Sequence, residues 1–152
     1  TAFERYASVS LEQALNNNRF DQTMVEENEP HLGVKTPTFL YDYPASLAAL
    51  ARLKPGNPSI AERFEIYVGG IELANGFSEL NDAHEQRKRF EKELKQKALL
   101  GKIVSPMPER FLKALKNMPE AAGIALGLDR LVMIFSGART IDEVVAFTPE
   151  EV

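Results

Sequence analysis

Within a single short stretch, ERFEIYVGGIELANGFSELND, the sequence places Glu65, Glu72, Asn75, Phe77 and Glu79. Gly69-Gly70 joins two strand-like runs and favours a tight primed hairpin turn. Such a turn sets Val68 against Ile71, Tyr67 against Glu72, Ile66 against Leu73 and Glu65 against Ala74. Glu65, Tyr67 and Glu72 then share one face, with the two carboxylates diagonal neighbours about 5.5 to 8 Å apart. Carboxylates so placed repel each other unless a cation lies between them, and Mg²⁺ is the hard, oxygen-seeking candidate. The same pattern also suits a solvated strand face carrying two unrelated glutamates. Phe64, Ile66, Val68, Ile71 and Leu73 form the opposite, apolar face, which needs a core.

Strict alternation sends Asn75, Phe77 and Glu79 to that apolar face, where an unpaired amide and carboxylate are costly. One extra residue near Ala74 to Gly76 returns all three to the face of Glu65 and Glu72, and Gly76 tolerates such a bulge. The polar face then combines acids, an amide and an aromatic ring. That set suits a cation beside a small amine-bearing ligand better than it suits packing.

These side chains need a scaffold, and the composition allows one ordinary domain. The chain has 152 residues, 44% hydrophobic and 26% charged, with a net charge of −4. That charge argues against gripping nucleic acid through the overall field. The absence of cysteine removes disulfides, thiolate catalysis and cysteine-ligated zinc, and the two histidines, His31 and His84, match no metal spacing. No apolar run approaches a membrane span and no signal-peptide core stands at the N-terminus, so a cytoplasmic protein without a membrane partner is expected.

The predicted fold is α+β, a mainly antiparallel sheet flanked by helices. Its strands are predicted over Thr38–Tyr43, Arg63–Val68, Ile71–Leu80 and Ala122–Leu126, with the Glu65/Glu72 face left open. Thr1 to Leu15 reads as two short helices, the second capped by Ser10. Arg19 to Glu29 reads as a helix whose acid run, Glu26-Glu27-Asn28-Glu29, opposes the dipole at its C-terminal end. Lys54 to Ser59 is the strongest loop signal. Asp82-Ala-His-Glu85 has capping-box spacing and opens a helix to about Leu100. That helix has a narrow apolar stripe and a row of lysines and arginines, a surface that is simply solvated or touches RNA or an acidic protein. Pro106 to Asn117 is a further helix, with Phe111, Leu112 and Leu115 inward. Leu128, Leu131, Val132 and Phe135 recur at helical spacing, so Leu128 to Phe135 is predicted buried on one side. Ile141 to Phe147 is predicted as a helical turn and a strand. Arg130 lies in the first turn of its helix, a misplaced cation unless it faces an anion such as a phosphate.

GIALGLDRLVMIF resembles motif 3 of the class II aminoacyl-tRNA synthetases, and RFEIYVGGIELANGFSELNDAHEQ resembles the strand pair preceding it in the lysyl branch. The resemblance runs from Thr36 onward. It implies that Glu65 and Glu72 hold Mg²⁺ and ATP, that Leu73 offers backbone contacts to the nucleotide, and that Gly127 lets the backbone approach ATP. Arg130 would grip the phosphates, with Glu72 and Arg130 as the catalytic pair. Asn75, Phe77 and Glu79 would line the amino-acid pocket, Glu79 meeting an ammonium.

Within that branch the chain is more similar to the synthetase paralogues that activate (R)-β-lysine as its adenylate and transfer it to a lysine of elongation factor P. Tyr43-Pro-Ala-Ser-Leu-Ala-Ala-Leu-Ala, Ala125 in place of a glycine, and Asp142-Glu143-Val144 carry that likeness. Ser78 and Asn81 look more like the lysyl-tRNA synthetases, for which tRNA-Lys would be the acceptor. Motif 1, which builds the family's homodimer interface, and motif 2 are both absent and would lie upstream of Thr1. The chain therefore resembles the C-terminal portion of a catalytic domain, from which adenylate formation alone is not expected. A non-catalytic synthetase-like binding module is the reading from another class.

Overall fold

Two reciprocal capping boxes open the chain. Thr1 and Glu4 satisfy each other's backbone at the start of α1 (Ala2–Tyr6), and Ser10 and Gln13 do so at α2 (Leu11–Asn16). The computed structural model describes residues 1–148. The remaining elements are α3 (Phe20–Thr23), β1 (Thr38–Pro44), β2 (Leu53–Lys54), β3 (Asn57–Val68), β4 (Ile71–Ser78), α4 (Ala83–Leu99), α5 (Glu109–Leu115), β5 (Ala122–Leu126) and α6 (Leu128–Ser136). Short helical turns also occur at Met24–Asn28, Glu29–His31, Ala45–Leu47 and Ile141–Glu143. The strands form one five-stranded antiparallel sheet in the order β1-β3-β4-β5, with β2 also paired to β3. The chain divides into two compact units. One comprises Thr1–Leu40, Glu65–Asn75 and the chain from Ala125 onward, the other Tyr41–Phe64 and Gly76–Ile124.

In the first unit the N-terminal helices bury Phe3, Ala14, Met24 and Leu32 around Tyr67. Phe20 stacks on Phe3 with centroids 5.4 Å apart. The helix expected over Arg19–Glu29 is α only as far as Thr23 and then widens into a π turn. Within it Asn28 is buried, and its side-chain amide donates to the Thr23 carbonyl at 3.2 Å. The face of Glu65 and Tyr67, expected open, is covered here: Glu65 is 7% exposed and Tyr67 1%. The apolar side chains opposite (Ile66, Val68, Ile71 and Leu73) are only half-buried. Tyr67 is the reason, because its ring belongs to the core of the N-terminal helices and draws its own face inward.

The expected burial of α6 is also corrected. Met133 is buried, but Leu128, Val132 and Phe135 are exposed, Phe135 at 84%. Among the described residues nothing packs over that stripe closely enough to cover it. The strand expected after Ile141 is absent, and only a helical turn forms there.

In the second unit, the expected loop at Lys54–Ser59 is a hairpin. Pro55 and Gly56, the latter at φ +80°, turn the chain so that Lys54 pairs with Asn57 and Leu53 with Ala61. The Arg63 guanidinium lies over the Tyr43 ring at 4.5 Å and donates to the Leu47 carbonyl. Asp82 caps α4 by accepting from the amides of His84 and Glu85. Glu85 does not complete the expected reciprocal box, because its carboxylate is paired with Arg89 one turn on. Helix α5 is shorter than expected. It buries Leu112 and Leu115 but leaves Phe111 42% exposed, tilted against Phe90 at 6.0 Å.

Candidate functional site

The β3–β4 turn is fixed from beneath. Gly69 and Gly70 have φ of +60° and +80°, which the primed turn requires. Their amides donate to the carbonyls of Gly33 and Leu32, both at 2.8 Å. Gly33 itself has φ +70°, and a Cβ there would lie 2.3 Å from the Tyr67 carbonyl oxygen. Only glycine allows the loop to approach the strand this closely.

On the strand above, the Tyr67 hydroxyl donates to Glu65 Oε2 at 2.6 Å. Asn75 Nδ2 donates to Glu65 Oε1 at 3.1 Å, so Asn75 stands on the face of Glu65. Both oxygens of this buried carboxylate are thus engaged and its orientation is set. The other end of the amide, Asn75 Oδ1, is buried and has no hydrogen-bond partner among the described residues.

Glu29 completes the cluster, and sequence reasoning missed its role. Its Oε1 lies 3.3 Å from the Tyr67 hydroxyl. Burial holds the Glu29 pKa above the usual carboxylate range, and the negative charges of Glu72 and Glu65 push the same way. The Tyr67 contact and Arg130 oppose the shift. The hydroxyl stands between the two carboxylates, with the shorter of its contacts to Glu65. The signal in the sequence was the acid run at a helix C-terminus, an electrostatic misfit whose partner lay 38 residues away.

Arg130 lies in the first turn of α6, and its Nη1 donates to the Glu72 carbonyl at 2.7 Å and reaches Glu72 Oε2 at 3.4 Å. Gly127 caps that helix without a side chain, and its amide donates to the Leu73 carbonyl at 2.9 Å. A Cβ at Gly127 would stand 3.4 to 3.6 Å from the Arg130 side chain, in ordinary contact with it. Ala125, at the end of β5, is exposed. The first unit thus brings together Glu65, Glu72, Leu73, Asn75, Gly127 and Arg130, with Glu29 and Tyr67 beside them.

Phe77 and Glu79 belong to the second unit. Both are half-buried. The Glu79 amide donates to the Ala121 carbonyl at 2.9 Å, and Glu79 bridges to Ala51. Its carboxylate oxygen lies 3.0 Å from where a Cβ on Gly123 would stand, so that glycine makes room for the acid. Gly76, expected to tolerate a bulge, answers a packing need: a Cβ there would meet the Phe64 ring at 2.7 Å.

The donor set is compatible with Mg²⁺. Among the described residues no group of three or more His, Cys, Asp or Glu could hold a metal ion, so Mg²⁺ would draw on two carboxylates such as Glu65 and Glu72. Magnesium is commonly held by one or two carboxylates, with water and substrate phosphates completing an octahedron. The unpartnered Asn75 Oδ1 adds a neutral oxygen beside them. Arg130 places a guanidinium beside Glu72, a group suited to anions.

Residues 4–151 match the family described as tRNA synthetases class II (D, K and N). Curated relatives share half of the aligned residues. A protein of Photorhabdus laumondii called elongation factor P–(R)-β-lysine ligase is 52% identical over 121 residues, covering 79% of this chain and 37% of the relative. Proteins of the same name from Proteus mirabilis and Klebsiella pneumoniae are each 51% identical, over 78% and 79% of this chain and 37% of their own lengths. The chain thus spans little more than a third of the relatives it matches. Among the described residues no helix is long and apolar enough to cross a membrane.

Proposed function

Because the chain belongs to the class II tRNA synthetases of the D, K and N type, we propose that the protein containing it is an ATP-dependent ligase acting on (R)-β-lysine. In this reading the amino-acid carboxylate attacks the α-phosphorus of ATP, the α–β phosphoanhydride breaks, and pyrophosphate leaves. The amine of an acceptor lysine on elongation factor P then attacks the adenylate carbonyl. AMP departs, the amine loses a proton, and an amide remains. The relatives' names support this choice of substrate and acceptor. The single observation that carries the site is the convergence of Glu65, Glu72 and Arg130 on one hairpin and one helix start.

Each side chain has a role in that scheme. Tyr67 and Asn75 hold the Glu65 carboxylate in place. Glu65 and Glu72 hold Mg²⁺, which when bound neutralises phosphate charge as a Lewis acid. Arg130 exchanges its contact with Glu72 for the phosphates, at a helix N-terminus that also favours them. The Gly127 amide is already given to the Leu73 carbonyl, so Gly127 serves by leaving the phosphate approach clear and Leu73 by backbone contact. In the second unit Phe77 and Glu79 receive the amino acid, Glu79 pairing with an ammonium; in the first, Ala125 contributes a methyl that bears on amino-acid choice. The partner half of the catalytic domain supplies the remaining contacts, and the complete protein is a cytoplasmic homodimer.

The test uses the complete protein. (R)-β-Lysine should drive ATP–pyrophosphate exchange more efficiently than α-lysine, and the label should pass to elongation factor P. Exchange driven chiefly by α-lysine, with transfer to tRNA-Lys, would replace this reading with a lysyl-tRNA synthetase. No exchange with either amino acid would favour a binding module.

A further inference from the structure

The site leaves one strongly charged region of the second unit unused. Residues 83 to 118 contain ten of the eighteen Lys and Arg residues of the chain but only four of its twenty-two acids. That segment is therefore net positive by six in a protein of net charge −4. It folds as α4, a connector and α5. Between the two helices lies a cleft of about 250 Å³ lined by His84, Arg87, Glu109, Leu112, Lys113 and Lys116.

The chemistry of the cleft is uneven. Glu109 grips the Arg87 guanidinium through both carboxylate oxygens, one contact at 2.9 Å, so this arginine fixes the two helices together. Lys113 and Lys116 are exposed and make no ion pair among the described residues. The N-terminal amides of His84 and Glu85 are taken by Asp82, so the attraction for an anion rests on side chains. Lys88, Lys92 and Lys95 continue the positive surface along α4, all exposed. Beyond its end Leu99, Leu100 and Ile103 stand 87%, 69% and 93% exposed.

We propose that the α4–α5 cleft and the lysines of α4 form the docking surface for an acidic face of the acceptor protein, an inference that rests on the ligase reading above. A surface for single-stranded nucleic acid would present arginine or aromatic planes for stacking. Here Arg87 is held by Glu109, Arg89 by Glu85 and the carbonyls of Ala49 and Ala51, and Phe111 leans on Phe90. Apart from Arg110, which is exposed on α5 but does not line the cleft, the available cations are lysines, compact charges on flexible stems. Past Lys95, at the far end of α4 from the cleft, the exposed Leu99, Leu100 and Ile103 offer apolar contact to the same partner, with the lysines as a charged rim.

The experiment compares the complete protein with its Lys113→Glu/Lys116→Glu variant. Rim charges act mainly on encounter, so the KM for elongation factor P should rise by about tenfold and the effect should shrink as salt is raised. β-Lysine-dependent pyrophosphate exchange should stay within about twofold, because activation of the amino acid does not use this surface. Lys113→Gln/Lys116→Gln should give a smaller rise in the same direction. An unchanged KM for elongation factor P overturns the inference alone. A parallel fall in exchange overturns it too, since the lysines would then serve the fold or the activation step. A wild-type protein that activates β-lysine but modifies tRNA, with the reversal weakening that transfer, overturns both this inference and the reading beneath it.

Discussion

The Tyr67 hydroxyl offers a direct measure of how the buried carboxylate is held. Tyr67→Phe removes one oxygen and leaves the ring in the core, so packing is nearly conserved. The change deletes a 2.6 Å hydrogen bond to a carboxylate that is 7% exposed. A hydrogen bond to a charged group is worth about 1.5 to 3 kcal/mol. Asn75 still donates to the other oxygen, which keeps the cost within that range rather than above it. With a urea dependence of about 2 kcal/mol per molar, the unfolding midpoint should fall by roughly 0.8 to 1.5 M. Equilibrium urea denaturation followed by far-UV circular dichroism reads that shift. A midpoint within about 0.2 M of wild type would refute the reasoning, because Glu65 would then draw nothing from the hydroxyl.

Gly33→Ala forces a side chain onto a residue at φ +70° with a Cβ 2.3 Å from the Tyr67 carbonyl. The left-handed backbone alone costs about 1 to 2 kcal/mol, so the thermal unfolding temperature should fall by at least about 2 °C. Glu29→Gln should stabilise the protein at neutral pH. The folded pKa of Glu29 is raised by burial and by Glu72 and Glu65. The folded state therefore holds this proton more tightly, and the wild type loses stability as pH climbs from about 4.3 through the raised value. The advantage of the glutamine variant should vanish below that window, as urea midpoints across pH would reveal. In the complete protein, Ala125→Gly should move the kcat/KM ratio for β-lysine over α-lysine toward α-lysine. One methyl is worth about 1 to 3 kcal/mol of discrimination, and the KM for ATP should hardly change.

The hairpin was legible because its signals are local. Gly69-Gly70 specifies the turn, and alternation on either side places Glu65, Tyr67 and Glu72 together. Ser10 and Asp82 marked their helices for the same reason, since a cap satisfies amides two or three residues away. Which face of the sheet is covered was not legible. Tyr67 reads as polar by its hydroxyl, yet its ring enters the core of helices far away in sequence. Glu29 was hidden in the same way, since its partner Tyr67 lies on another element. The stripe of Leu128, Val132 and Phe135 has the period of a buried helix face, but period does not say what covers it. Lys54 to Ser59 looked like a loop because Pro55 and Gly56 are turn residues, and they serve a tight hairpin equally well.

Glu72→Gln in the complete protein bears most directly on the proposed site, because it removes a charge without touching the core. Glu72 is one-third exposed and contacts Arg130, so the fold should survive the change. β-Lysine-dependent ATP–pyrophosphate exchange at saturating Mg²⁺ should fall on the order of a hundredfold, with the thermal unfolding temperature unchanged. Exchange at the wild-type rate would show that the Glu65–Glu72 face does not serve the nucleotide, and the proposed site would be wrong.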